Sequence, residues 1–218
     1  MKPPAAQETW DDKLGVVDWR KVWQARTLLA SPRDTVTWLQ IKHRNLYVAK
    51  HGGWTTNTCK ARGCQHVENQ EHLVSCPIIN KEFWYVVMTY MQDLDMQPDN
   101  TPEYWILGLK EGETVIRDEA DIIAWAWRAL YAETIRAHID NKEINFKRAL
   151  SRMSQFALSR AKAYGRKWRR WWISQRLHKK PKDYPEEHSK HKLIQQDIDA
   201  TYEIHPNLST WVQTFRNL

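Results

Sequence analysis

Three cysteines and a histidine crowd into the one long stretch of the chain that lacks apolar periodicity, and this stretch limits the possible folds more than any other. The cysteines of the 218-residue chain fall at positions 59, 64 and 76, and with His72 they read Cys-x4-Cys-x7-His-x3-Cys. From His51 to Pro77 the residues are mostly polar and include Gly52, Gly53 and Gly63, so no hydrophobic face is available to hold the segment. Two ligand pairs separated by a short loop can wrap a tetrahedral ion, and thiolate with imidazole is the set zinc selects. The pattern predicts a zinc site of Cys59, Cys64, His72 and Cys76. Four protein ligands fill the shell and leave no position for a reactive water, so the ion is expected to be structural.

Magnitudes set its importance. A structural zinc contributes about 10–16 kcal/mol of apparent binding energy, comparable with the whole stability of a domain at about 5–15 kcal/mol. Residues 51 to 80 are therefore expected to unfold without it. On spacing alone His66 competes with His72 as the imidazole ligand, with His51 and His43 as weaker rivals. A disulfide would leave one cysteine over and would need an oxidising compartment, for which the chain carries no signal.

Elsewhere the apolar residues recur at helical spacing, and 13 Trp beside only 7 Gly fit bulky anchors on helices. The expected fold class is mainly α, a helical protein with one zinc-stabilised loop or knuckle between helices. Residues 1 to 15 read as a loose arm. Trp19, Val22, Trp23, Arg26 and Leu29 mark one short helix. Ser31-Pro32-Arg33-Asp34 starts another, with Val36, Leu39, His43 and Leu46 expected inward and the Asp34 carboxylate reaching back to the cap. Ile79, Phe83, Val86, Val87, Tyr90 and Met91 form a further stripe, followed by a linker-like stretch at 93–103. Ile123, Trp127, Leu130, Tyr131, Ile135 and Ile139 mark the next helix. Phe146, Leu150, Met153, Ala157, Ala161, Tyr164, Trp168 and Trp171 then step with a period of about 3.6, as one long amphipathic helix would. This divides the chain into an arm (1–15), a zinc-binding helical domain (16–95), a basic helical region (96–180) and a tail (181–218).

The charge is uneven. Between Lys142 and Lys180 thirteen Lys or Arg face a single acid, Glu143; this block carries +12 within a chain of +7, leaving −5 for the remainder. Such a block on a slightly acidic body is the footprint of a polyanion contact. Arg148, Arg152, Arg160, Lys162, Arg166, Lys167, Arg169 and Arg170 lie largely off the apolar seam and are expected to meet phosphates, with Trp172 as a base-stacking residue. Phosphate contacts position a protein without reading bases, so no sequence specificity is implied. No window approaches the roughly 18 consecutive apolar residues of a membrane span, and Met1 to Lys13 holds no apolar signal core. The compartment stays open, with the nucleus and an organelle both compatible with these features.

At Trp19-x3-Trp23, Trp38-Leu39-Gln40-Ile41-Lys42-His43-Arg44-Asn45-Leu46, Cys59-x4-Cys64, Glu71-His72-Leu73-Val74-Ser75-Cys76-Pro77 and Trp84, the chain resembles a known family. This is the zinc-binding domain that follows the polymerase in non-LTR retrotransposon reverse transcriptases. The resemblance runs over about residues 16 to 175, taking in Trp105-Ile106-Leu107-Gly108 and the Trp/Arg-rich helical end, and its first cysteine pair is wider than the Cys-x2-Cys common in the family. It favours His72 over His66 as ligand and implies a module that helps a polymerase hold RNA or DNA. It brings no polymerase: the sole Asp-Asp pair, Asp11-Asp12, sits in the N-terminal arm as surface acid, and the chain is too short for fingers and palm. The expected function is a non-enzymatic, zinc-stabilised module binding an RNA or DNA backbone. A second role fits the same Trp and Arg: a retroelement-derived structural subunit with protein neighbours in a large assembly such as an organellar ribosome. Zinc-dependent hydrolysis or deamination is disfavoured: His66-Val67-Glu68 stands among the cysteines, but neither a Pro-Cys-x-x-Cys nor a His-Glu-x-x-His accompanies it.

Overall fold

The computed structural model describes residues 5–28, 32–46, 48, 56–93 and 95–156, and over these the protein is mainly helical. Three helices open the chain: α1 (Ala5–Leu14), α2 (Trp19–Leu28) and α3 (Pro32–Lys42). The segment that carries the three cysteines follows, with a short helix α4 (His72–Ser75) just before Cys76. A three-residue turn α5 (Pro77–Ile79) runs through a π-helical turn at Asn80–Trp84 into α6 (Tyr85–Asp93). A second π-helical turn at Glu103–Leu107 leads to a two-stranded hairpin, β1 (Leu109–Lys110) and β2 (Glu113–Thr114). The long α7 (Arg117–Ile139) and a helix α8 over 146–156 complete the described residues.

Residues 5–14 are not the loose arm that their polarity predicts, because one side chain anchors them. Trp10 is fully buried, and its indole N–H donates to the Lys42 carbonyl at 2.9 Å while the Arg44 guanidinium lies 5.3 Å from its ring centroid. Burying an indole contributes roughly 1.5–3 kcal/mol, enough to order a short helix of low apolar content. Asp11 is likewise more than a surface acid. Its Oδ1 accepts from the Val17 amide at 3.2 Å and from the Trp19 indole at 3.0 Å, fixing the turn from α1 into α2.

The helix α3 turns a different face inward from the one expected. Val36 is 54% exposed and His43 is exposed, whereas Asp34, Trp38, Ile41 and Lys42 are buried. The buried polar groups explain the rotation. Asp34 pairs with Arg128 of α7 and accepts from the Trp125 indole at 3.2 Å, so its carboxylate is used across the interface rather than only at its own helix start. Lys42 Nζ donates to the carbonyls of Val22 at 2.9 Å and Leu107 at 2.6 Å and sits 4.5 Å from the Trp38 ring centroid. Burial pushes the Lys42 pKa well below the ordinary lysine value. That favours the neutral amine, which keeps two N–H donors for these two carbonyls.

The centre of the core is aromatic. Trp84 lies with its ring centroid 4.7 Å from that of Trp105 and 5.3 Å from that of Trp127, and all three are fully buried. Each indole N–H in the cluster has a partner: Trp84 donates to the Leu73 carbonyl at 2.8 Å, Trp127 to the Trp105 carbonyl at 2.6 Å, and Trp105 to Asn100 Oδ1 at 3.1 Å. The stretch 93–103 is consequently a packed connection and not a free linker, with Met96 buried and Asn100 also accepting from Asn80 at 3.3 Å. Gly108 follows the second π-helical turn in the left-handed region, φ 72°, and a Cβ there would lie 2.5 Å from the Trp38 ring. No other residue type allows both that backbone and that approach. The hairpin turns through Glu111 and Gly112, both at positive φ (51° and 74°), as a two-residue hairpin loop requires.

Along α7, Ile123, Trp127 and Leu130 are buried as their spacing predicts, but the seam drifts at the C-terminal end. Glu133, Thr134, Ala137 and His138 are buried there, and Ile139 is 65% exposed. Phe146, Leu150 and Met153 keep their expected register on α8, with Leu150 and Met153 buried. The rest of that seam, from Ala157 to Trp171, and the tail at 181–218 lie outside the described residues.

Candidate metal centre

The four predicted ligands come together from a turn and a helix. Around the first pair, the Cys59 amide donates to the His66 carbonyl at 2.9 Å, the Glu68 amide to the Asn57 carbonyl at 2.8 Å, and Thr58 bridges Val67. These bonds form a tight knuckle whose tip is closed by the Cys64 amide donating to the Ala61 carbonyl at 2.9 Å. Gly63 sits in that turn at φ 76°, the left-handed conformation that lets four intervening residues fold back and present both sulfurs to one side. The Ala61 amide lies 3.4 Å from Cys59 Sγ, an N–H···S contact that stabilises a thiolate.

The second pair rides on α4. His72 and Cys76 are four residues apart, one helical turn, with the Cys76 amide donating to the His72 carbonyl at 2.7 Å, so both side chains leave the same face. Asn69 Oδ1 accepts from the His72 amide at 2.7 Å and caps this turn. Cys76 itself is extended (ψ 121°), the conformation that the following Pro77 imposes, and Pro77 begins α5. Leu73 and Val74 are buried between the ligands, and the Leu73 carbonyl receives the Trp84 indole, which ties the ligand helix to the aromatic core. Glu71 pairs with Arg44 at 2.5 Å and with Lys13 at 3.4 Å, so α1 and the end of α3 brace the same helix.

Cys64 Sγ is 3.3 Å from His72 Nε2 and 3.8 Å from Cys76 Sγ, and one ligand atom from each of Cys59, Cys64, His72 and Cys76 lies within 4.8 Å of the others. Ligands about 2.0–2.3 Å from an ion at tetrahedral angles stand roughly 3.5–3.8 Å apart. The spacing therefore fits a shared ion, and all three cysteines are free thiols. These residues could hold a metal ion. Burial pushes the thiols of Cys59 and Cys76 up from their ordinary values, and it lowers the His72 pKa with help from the neighbouring His66. Cys59 and Cys76 are thus neutral thiols whose protons a bound cation would displace.

His72 is the imidazole of the cluster. His66 is exposed, its ring centroid 5.5 Å from that of His72, and it contributes its backbone carbonyl to the knuckle instead. His43 stacks 5.4 Å from Trp23, and His51 lies outside the described residues. A further buried pair, Glu68 with His138 at 2.9 Å, joins the knuckle to α7. Seventy positions separate the two, so no local pattern could reveal it.

The basic block splits in an unexpected way. Arg148 and Arg152, expected to face phosphates, are both engaged by the buried Glu133 carboxylate, at 2.6 Å and 3.0 Å. An unpaired buried carboxylate is too costly to tolerate, so these two arginines belong to the α7–α8 interface. Arg160, Lys162, Arg166, Lys167, Arg169, Arg170 and Trp172 lie outside the described residues. No helix among the described residues is long and apolar enough to cross a membrane. Compared with family models, curated proteins and solved structures, the chain matches none.

Proposed function

We propose that the protein is a non-catalytic, zinc-stabilised module that binds the phosphodiester backbone of RNA or DNA, a relative of the zinc-binding tail of non-LTR retrotransposon reverse transcriptases. Three thiolates and one imidazole are the ligand set that selects zinc over harder cations. Bound there, zinc would supply cross-linking and charge, not a reactive water, since Cys59, Cys64, His72 and Cys76 occupy every tetrahedral position.

One observation carries the nucleic-acid reading: the knuckle is tethered to the root of the basic block. The Ile144 amide donates to the Lys60 carbonyl at 2.9 Å, and Lys60 Nζ donates to Asn141 Oδ1 at 2.9 Å. The segment of +12 thus starts against the metal knuckle, which gives the positive charge a fixed origin on the fold. The residues shared with the retroelement family support the same reading at the level of architecture. Trp38, Lys42, Arg44, Glu71, Trp84, Trp105, Leu107 and Gly108 all take part in the contacts that hold α1, α3, α4 and the aromatic core together.

The test is binding of the zinc-loaded full chain to labelled single-stranded RNA and to duplex DNA over a series of salt concentrations. The expected result is a log-log slope of about −0.7 to −0.9 per neutralised phosphate. Salt-independent affinity, or stoichiometric protein partners that survive nuclease and high salt, would replace this reading with a structural role in an assembly.

A further inference from the structure

We infer that the open cleft between the metal knuckle and the loop after α7 is a phosphate-binding site, built by Lys60, Arg62 and Lys142. The inference rests on the nucleic-acid reading above and locates on the described fold a contact that reading leaves unplaced. Lys60, Arg62 and Gly63 line one wall, and Asn141, Lys142 and Glu143 line the other. Three cations against one acid leave the lining at +2.

The two walls are held at a fixed distance by the Ile144 amide to Lys60 carbonyl bond and by the Lys60 ammonium to Asn141 bond. The second bond uses one of the three ammonium donors and holds the Lys60 side chain along the cleft. Arg62 and Lys142 are exposed, and among the ion pairs of the described residues neither appears with an acid. At Gly63 no atom lies within 4 Å of the position a Cβ would take, so the tip of the knuckle leaves room for a ligand. Arg148 and Arg152 do not compete for the same role, because Glu133 holds them. A planar guanidinium and two ammonium groups around a polar, open gap match a tetrahedral oxyanion better than any apolar ligand. The knuckle would then act as a phosphate clamp at the start of the basic block.

The experiment compares the zinc-loaded full chain with two triple variants that lose the same charge. One is Lys60→Gln/Arg62→Gln/Lys142→Gln; the control is Arg20→Gln/Arg33→Gln/Lys81→Gln, at exposed positions on other helices. Zinc content and thermal unfolding verify that each variant is folded, since none of the six residues is a ligand. Anisotropy titrations with single-stranded RNA and duplex DNA read affinity against salt, and inorganic phosphate as competitor separates a free-anion site from a strand site. The cleft variant is expected to bind about tenfold or more weakly than the control variant, with a salt slope lower by about two. Competition by inorganic phosphate at concentrations that leave the control's strand binding unchanged would overturn the strand assignment. Equal losses in both variants would overturn the cleft while leaving the nucleic-acid reading standing. A wild-type chain that binds neither probe at low salt would overturn both.

Discussion

The knuckle around the metal ligands and the tryptophan core beneath it solve the same problem by opposite means. Between Asn57 and Gln70 the buried groups are small or polar, with Ala61, Cys59, Glu68 and Gln70 taking the place of large apolar side chains. Between Trp84 and Leu130 most inward residues are aromatic or aliphatic, and the indole N–H groups are satisfied by backbone carbonyls (Trp84, Trp127) or by side-chain oxygens (Trp105, Trp125). On the proposed reading the first region relies on an ion, its apolar burial being small against chain entropy, whereas the second is held by its own apolar packing. At their junction the Trp84 indole donates to the Leu73 carbonyl beside His72 and Cys76, and Glu68 pairs with His138 of α7. Removing the ion and removing an indole should therefore have separable effects, and this contrast can be broken in several ways.

The largest effect is expected from Cys76→Ser. Losing a ligand forfeits most of the roughly 10 kcal/mol that a structural zinc contributes, so amides from 57 to 76 should exchange freely while the centre of α7 stays protected. Loss of protection in both regions together would erase the distinction. Trp127→Ala is expected to cost about 3–5 kcal/mol in global denaturation while the zinc content per folded chain stays constant.

Acidity gives a third lever. In the metal-free protein burial keeps the Cys59 and Cys76 thiols protonated at neutral pH, and it keeps His72 deprotonated below its ordinary value. Metal uptake at pH 7 must therefore expel at least those two thiol protons, and zinc affinity should rise by roughly a hundredfold per pH unit between pH 7 and 8. Calorimetry in buffers of different ionisation enthalpy reads the released protons directly; release of none would mean that the sulfurs do not bind the ion. The stability of the aromatic core should show no such slope in the same range.

Gly108→Ala is expected to cost about 2 kcal/mol or slightly more, from the left-handed backbone and the approach to Trp38, measured as a lower midpoint in urea. The smallest expected change is in Arg148→Ala or Arg152→Ala, each lowering stability by about 1–2 kcal/mol because Glu133 keeps one partner. Neither is expected to alter the salt slope of strand binding. A reduced slope with unchanged stability would return these two arginines to the phosphate-facing set.

What could be read from the sequence follows the range of the interactions. The clustering of Cys59, Cys64, His72 and Cys76 was legible because its spacing is local: His72 and Cys76 share one helical turn, and the Cys59 to Cys64 loop closes on itself around Gly63. The registers of α6 and the first half of α7 were legible for the same reason. The inward face of α3 was not, since a buried Lys42 is stabilised by carbonyls 20 and 65 positions away and Asp34 by residues on α7. Polar composition predicted a loose N-terminal arm because Trp10 counts for little in a ten-residue window, although its indole finds a fully buried site. Arg148 and Arg152 looked free because the carboxylate that holds them belongs to another helix, with its charge hidden from any local count.

The central claim is that Cys59, Cys64, His72 and Cys76 share one zinc ion. X-ray absorption at the zinc edge on the purified full chain tests it most directly. The account predicts one equivalent of zinc with about three sulfur neighbours near 2.3 Å and one nitrogen near 2.0 Å. A first shell of oxygen and nitrogen alone, or a folded protein that takes up no stoichiometric metal, would contradict it.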